Sequence, residues 1–306
     1  MRRLGPAAIL LALAAVAPAA ERVEDLEAEL DARLDERRTR SITLAELYET
    51  SGNWRRAAEH YEQARRVRDD DARVLVQLSR LYRAHDEHEK LLSVYATLSR
   101  LQPTSVVWLR ELGSCHFKLG HTQDALAAWG RILDVQPSKT YALRHLIDVY
   151  ADHGLHKRAA AACREALALT PRDQDIRLRL AEALGEGGDP LGALATLSHI
   201  AKGRIILRSQ RGVRIRHNAF ARLAMPDPVH TALDKRLDAG PCTAADLAAL
   251  AAELLDKASR PADALPFLRR LARDEPGTPR GQAAAARVRG QDPKTKPITP
   301  DDPPTR

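Results

Sequence analysis

Small and apolar residues return along this chain every 34 positions. Ala45, Ser79, Gly113, Ile147 and Ala181 form one series. Ala57, Leu91, Ala125, Ala159 and Ala193 form a second; Tyr61, Tyr95, Trp129, Cys163 and Leu197 a third; Ala64, Leu98, Ile132, Ala166 and Ile200 a fourth. A fixed period of this length is the signature of a repeat architecture, in which a unit too small to bury its own apolar face stacks on its neighbours. The spacing predicts two antiparallel helices per unit, joined by a tight turn. Small residues such as Gly113 and Ala125 allow the helices close approach, and Tyr61 and Trp129 fill the gap to the next unit. Gly52, Gly120, Gly154 and Gly188 fall at the inner turn, where a left-handed backbone is expected. Pro103, Pro137 and Pro171 close the second helix because proline cannot continue its hydrogen-bond ladder.

Leu112-Gly113, Gly120, Ala125, Trp129 and Pro137 in the third unit, with Leu146, Tyr150, Gly154, Ala159, Ala166 and Pro171 in the fourth, carry a family resemblance. The first two units keep Tyr48, Ala57, Tyr61 and Tyr82, and the fifth keeps Leu180, Gly188 and Ala193 but has Ile205 in place of the closing proline. The pattern resembles the tetratricopeptide repeat, over residues 38–203 in five units. The resemblance implies an all-α, right-handed helical-repeat solenoid whose first helices line an inner groove, and a scaffold that binds protein partners there. Carried onto this sequence, the groove residues are Arg80, Arg83, Arg110, Phe117, Lys118, Tyr141, Arg144 and Asp148, a cationic centre suited to an extended acidic peptide. Glu46 and Glu49 flank one end; Asp148, Asp152, Glu182 and Glu186 flank the other.

The ends depart from the repeat. Residues 1–20 read as a secretory signal peptide: Arg2 and Arg3, an apolar core from Ala7 to Val16, then Ala17-Pro18-Ala19 before an abrupt turn to charge at Glu21. An uncleaved anchor is the alternative, although the core is about half the twenty residues a span needs. Export to a periplasm or cell envelope follows as the expectation. Val23, Leu26, Leu30 and Leu34 share one stripe in residues 21–37, read as a capping helix over the first repeat or, alternatively, a short dimerising coiled coil. Residues 204–242 form a divergent basic insertion, in which Val213–Ala224 is expected to be helical and 204–212 is either a hairpin or a degenerate helix. Residues 243–276 reproduce the repeat spacing through Ala252, Leu255, Ala264, Leu268, Leu271 and Pro276, with Ser259 at the turn position of Gly52. Residues 277–306, rich in Pro, Lys, Asp and Thr, are expected to be disordered.

Composition changes this picture little. Aromatic residues make up 4% of the chain, which disfavours a large β-core. The net charge of +7 falls by two, to +5, without Arg2 and Arg3, so its location matters more than its size. Lys202, Arg204, Arg208, Arg211, Arg214, Arg216 and Arg222 lie in a stretch with no acid, which gives a second reading: docking to an anionic membrane surface or another polyanion. No ladder of base-stacking aromatics accompanies them, so nucleic acid is not expected. Cys115, Cys163 and Cys242 have no pairing framework and read as buried thiols. His85 with His88, and His153 with His156, recur in turns, with His121 between; metal binding by these turn histidines is the minor alternative to exposed side chains, and neither a metal nor a cofactor is expected. Motifs for zinc hydrolysis, phosphate loops, nucleophile elbows and dinucleotide turns are absent, so catalysis is not expected.

Overall fold

The structure is a computed structural model that describes residues 6–200 and 210–291, with side chains from Leu26 to Gly290. The described residues fold into fifteen α-helices. They group into two compact units, Met1–Val135 and Gln136–Arg306.

The first unit contains α1 (Pro6–Thr50), α2 (Trp54–Val67), α3 (Ala72–Ala84), α4 (His88–Leu101), α5 (Val106–Lys118) and α6 (Thr122–Val135). Each helix packs on the next. The second contains α7 (Lys139–Asp152), α8 (His156–Leu169), α9 (Gln174–Glu186) and α10 (Pro190–Ser198), then α11 (Gln210–Leu223), α12 (Asp227–Ala239), α13 (Ala244–Lys257), α14 (Pro261–Asp274) and α15 (Pro279–Gln291). Here α10 is the hub, touched by α9, α11, α12 and α13.

The local chemistry explains the segmentation. Asn53, Asp71, Ser138, Asp173, Asp189 and Thr243 each accept a backbone N–H in the first turn of the helix that follows, satisfying a donor that the helix itself cannot. Thr243 and Asp246 make a reciprocal capping box at α13. The inner turns run through a left-handed residue: Gly52, Gly120, Gly154 and Gly188 have φ between 69° and 86°. Asp86 and Ser259 take the same conformation in the second unit of the repeat and in the C-terminal helix pair, at φ 55° and 56°.

All four 34-residue series are buried, from Ala45 to Ala181, Ala57 to Ala193, Tyr61 to Leu197 and Ala64 to Ile200. At Gly113 a Cβ would fall inside the indole of Trp129, whose Nε1 donates to the Arg110 carbonyl at 3.1 Å. Gly113 is therefore required by close approach, although it lies within a helix. The three cysteines are buried and unpaired; burial pushes the thiols of Cys115 and Cys163 up to about 11 and about 12.

Two expectations change. The segment 21–37 does not fold back as a cap: it is continuous with the first repeat helix in α1, and Leu26 and Leu30 stay 64% and 58% exposed while Leu34 is only half-buried. The run rich in helix formers, without Gly, Pro or Asn from Glu21 to Thr50, explains the continuity. The tail expected to be disordered from 277 instead forms α15, because Ala284 is buried and Val288 packs against the core. Residues 292–306 lie outside the described residues. The basic insertion is helical where described: α11 covers most of the segment expected to be helical, and α12 follows it. Of the stretch 204–212, open between hairpin and helix, residues 210–212 begin α11 and 204–209 lie outside the described residues.

Candidate functional site

The first helices of the repeats carry a register row that runs Glu46, Arg80, Ser114, Asp148 and Glu182. The structure treats the two units differently along this row. In the second unit the acids are spent on ion pairs between neighbouring helices. Asp148 of α7 accepts from Arg179 of α9, which also reaches Asp175 at 2.9 Å. Glu182 of α9 accepts from Arg211 and Arg214 of α11. Burial alone would lower the Arg179 pKa, yet its bonds to, and the charges of, Asp148 and Asp175 outweigh burial and raise the value. Arg144 is likewise shared between Asp173 and Asp175. Arg144 and Asp148, both expected in a groove, thus serve as cross-ties between α7 and α9. Tyr141 remains 53% exposed, edge-on to His145 at 4.7 Å between ring centroids.

In the first unit the row is open. Glu46 and Arg80 have no ion-pair partner among the described residues; Arg80 is exposed and donates only to Gln77 Oε1, at 3.0 Å. Beside them lies a cleft of about 600 Å³ between α1 and α3. Ile42, Glu46, Val76 and Gln77 line it, with Tyr61 beneath. Burial, and then the charge and hydrogen bond of Glu49, push the Tyr61 phenol up to about 12, so it stays a neutral donor. The remaining residues expected here are dispersed. Arg83 pairs with Glu111 of α5 at 3.7 Å. Phe117 packs on Trp129 at 5.8 Å, as a filler between α5 and α6, while Lys118 is exposed at the end of α5. Ile42 and Val76, the apolar floor of the cleft, were missed in sequence, although both stand one turn before the row residue of their own helix.

The acid-free basic segment is not acid-free in space. Arg211 and Arg214 meet Glu182, Arg216 meets Asp234 and Asp238 of α12, and Arg222 meets Glu186. These acids come from α9 and α12, so no local count of charge reveals them. Lys202, Arg204 and Arg208 lie outside the described residues.

The sequence profile of the tetratricopeptide repeat matches residues 42–105 and 110–174. Residues 42–105 and 110–174 are therefore tetratricopeptide repeats. Among solved structures it is similar to a tetratricopeptide-repeat protein from Parabacteroides merdae, at 14% identity over 83% of this chain and 98% of that one, with a TM-score of 0.46. It is also similar to the MamA protein, at 18% identity over 61% and 92% of the two chains and a TM-score of 0.39. A third is PilW, a type IV pilus biogenesis factor, at 15% identity over 81% and 98% and a TM-score of 0.35. Tetratricopeptide repeats support a protein-interaction scaffold. Among the described residues no helix is long and apolar enough to cross a membrane.

Proposed function

We propose that the protein assembles a cell-envelope complex by holding an extended segment of a partner protein in the cleft between α1 and α3. One observation carries this reading. Glu46 and Arg80 are left without ion-pair partners beside an apolar floor of Ile42 and Val76, whereas Asp148 and Glu182, at the same register position, are neutralised by neighbouring helices. The Arg80 guanidinium, which donates to the cleft-lining Gln77, and the Ile42 and Val76 side chains in a lining that also holds Arg38, Asp71 and Arg73 suit a peptide that offers a carboxylate to Arg80 and a branched side chain to Ile42 and Val76. The leader of residues 1–20 supports the envelope as the place of action, as an exported or N-terminally anchored protein. Nothing in the reading requires chemistry on the partner.

The test places a photo-crosslinking residue at Gln77 in the full chain and exposes it to envelope extract. The expected product is a discrete adduct that disappears with Arg80→Glu, and a peptide from the adducted protein should bind the purified chain. Crosslinks of equal yield with and without Arg80→Glu would remove the cleft as the docking site.

A further inference from the structure

Three potential ligands converge at the turn between α5 and α6. His116 lies near the end of α5, His121 directly precedes α6, and Asp124 stands in the first turn of α6. The His121 N–H donates to the His116 carbonyl at 2.9 Å across a turn in which Gly120 has φ 81°. That bond folds a five-residue separation back on itself. One donor atom from each side chain lies within 4.8 Å of the other two. The imidazole centroids are 5.9 Å apart and tilted by 53°. None of the three side chains has a hydrogen-bond or ion-pair partner among the described residues, and the buried Nδ1 of His116 lacks one altogether.

The other repeats show what these places ordinarily hold. The equivalent residues are Tyr48, Asn53 and Arg56 in the first repeat, Tyr82, Glu87 and Lys90 in the second, Tyr150, Leu155 and Arg158 in the fourth, and Leu184, Asp189 and Gly192 in the divergent fifth. In the first and second repeats the first and third positions form a pair in which the cation serves the tyrosine. Arg56 lies 5.5 Å over the Tyr48 ring and Lys90 5.5 Å over the Tyr82 ring. The third repeat exchanges both partners together: the ring becomes an imidazole and the cation becomes a carboxylate. Neither exchange serves the packing role, because a carboxylate is repelled by the face of an aromatic ring. Together, and with His121 in the intervening position, they create two nitrogen donors and one oxygen donor.

We propose that the third repeat binds a divalent transition-metal ion, zinc above all, through His116, His121 and Asp124. Two imidazoles and a carboxylate are the donor set of an open zinc site, with a fourth position left for water or for a group supplied by a partner. Calcium and magnesium, which require oxygen ligands, do not fit it. His121 and Asp124 are exposed, so their side chains rotate freely to reach the roughly 2 Å bonds that zinc demands. A bound ion would also staple α5 to α6.

The experiment uses the untagged full chain and zinc alone, with bound metal measured by equilibrium dialysis and melting temperature recorded with and without zinc. The variant H116Y/H121N/D124R installs the residues of the first repeat, a set this fold already accommodates at Tyr48, Asn53 and Arg56. A single tight zinc equivalent and a raised melting temperature in the natural chain, both absent from this variant at unchanged helicity, is the expected result. Should the triple variant fail to fold, the exposed His121→Asn alone must weaken zinc binding by about ten-fold or more. No stoichiometric zinc in the natural chain, or undiminished binding in the variants, would overturn the assignment.

Discussion

Single residues at the inner turns set much of the local energy. Four repeats place glycine at the left-handed position, where the absent Cβ removes the steric cost. Ser259 occupies the same place in the C-terminal pair at φ 56°, and carries a cost that a glycine would not. Ser259→Gly should therefore raise stability by about 1 kcal/mol, read as a higher urea midpoint at constant slope. Gly113 is the opposite case. Its constraint is contact with Trp129, so Gly113→Ala should destabilise by about 1–3 kcal/mol through overpacking, with a blue- or red-shifted Trp emission marking the displaced indole. Both roles were legible from the 34-residue spacing, since glycine at a turn and glycine opposite an aromatic need no tertiary information. The zinc ligands were legible only in part. His121 stands out as a turn residue, but His116 and Asp124 gain meaning only when set against Tyr48 and Arg56, a comparison that requires knowing that a cation covers the ring.

At the level of elements, α1 shows what a missing neighbour does. Leu44 and Leu47 are 41% and 59% exposed, while their register mates Leu78 and Leu81 on α3 are 0% and 7% exposed. The helix of the later pair packs on α2, the second helix of the preceding repeat, and among the described residues no such helix precedes α1. Substitution to alanine should thus cost about 2–5 kcal/mol at Leu78 and little at Leu44, measured by chemical denaturation of the two variants. The sequence showed identical leucines in register; burial depends on the neighbour, which periodicity inside one helix does not encode. The same limit hid the partners of Arg211 and Arg144, whose acids sit about thirty residues away. The tie between α1 and α3 adds a pH dependence. Burial would raise the Asp71 pKa, but the hydrogen bond from Arg38 and the amides of Arg73 and Val74 outweigh it and hold the carboxyl below its ordinary 3.8. A depressed folded value means that the unfolded chain takes the proton first. The contribution is complete above about pH 4 and is lost as pH falls through the folded value. Asp71→Asn keeps an N-cap while removing the charge. It should lower stability by about 1.5–3 kcal/mol at neutral pH and flatten the acid limb of the stability profile below pH 4.

On the scale of the whole molecule, each unit holds a core cluster of its own. One runs from Ala45 to Ala128, with Leu75, Leu78 and Tyr61 at its centre; the other runs from Leu143 to Ala284, with Ile176, Leu194 and Leu233 fully buried. In a repeat protein each element draws its stability from nearest neighbours, so cooperativity need not extend along the entire chain. The distribution of tryptophan turns this into a measurement. Trp54, Trp108 and Trp129 are the three tryptophans of the sequence, and all lie in the first unit. Fluorescence therefore reports that unit alone, while far-UV circular dichroism reports helices of both. Unfolding in urea should give curves that do not coincide. Leu78→Ala should move the fluorescence midpoint, whereas Leu233→Ala should leave it in place and displace only the dichroism transition that fluorescence does not see. Superimposable curves that shift together in both variants would instead show a single cooperative array, in which a core defect at Leu233 is felt at Trp129.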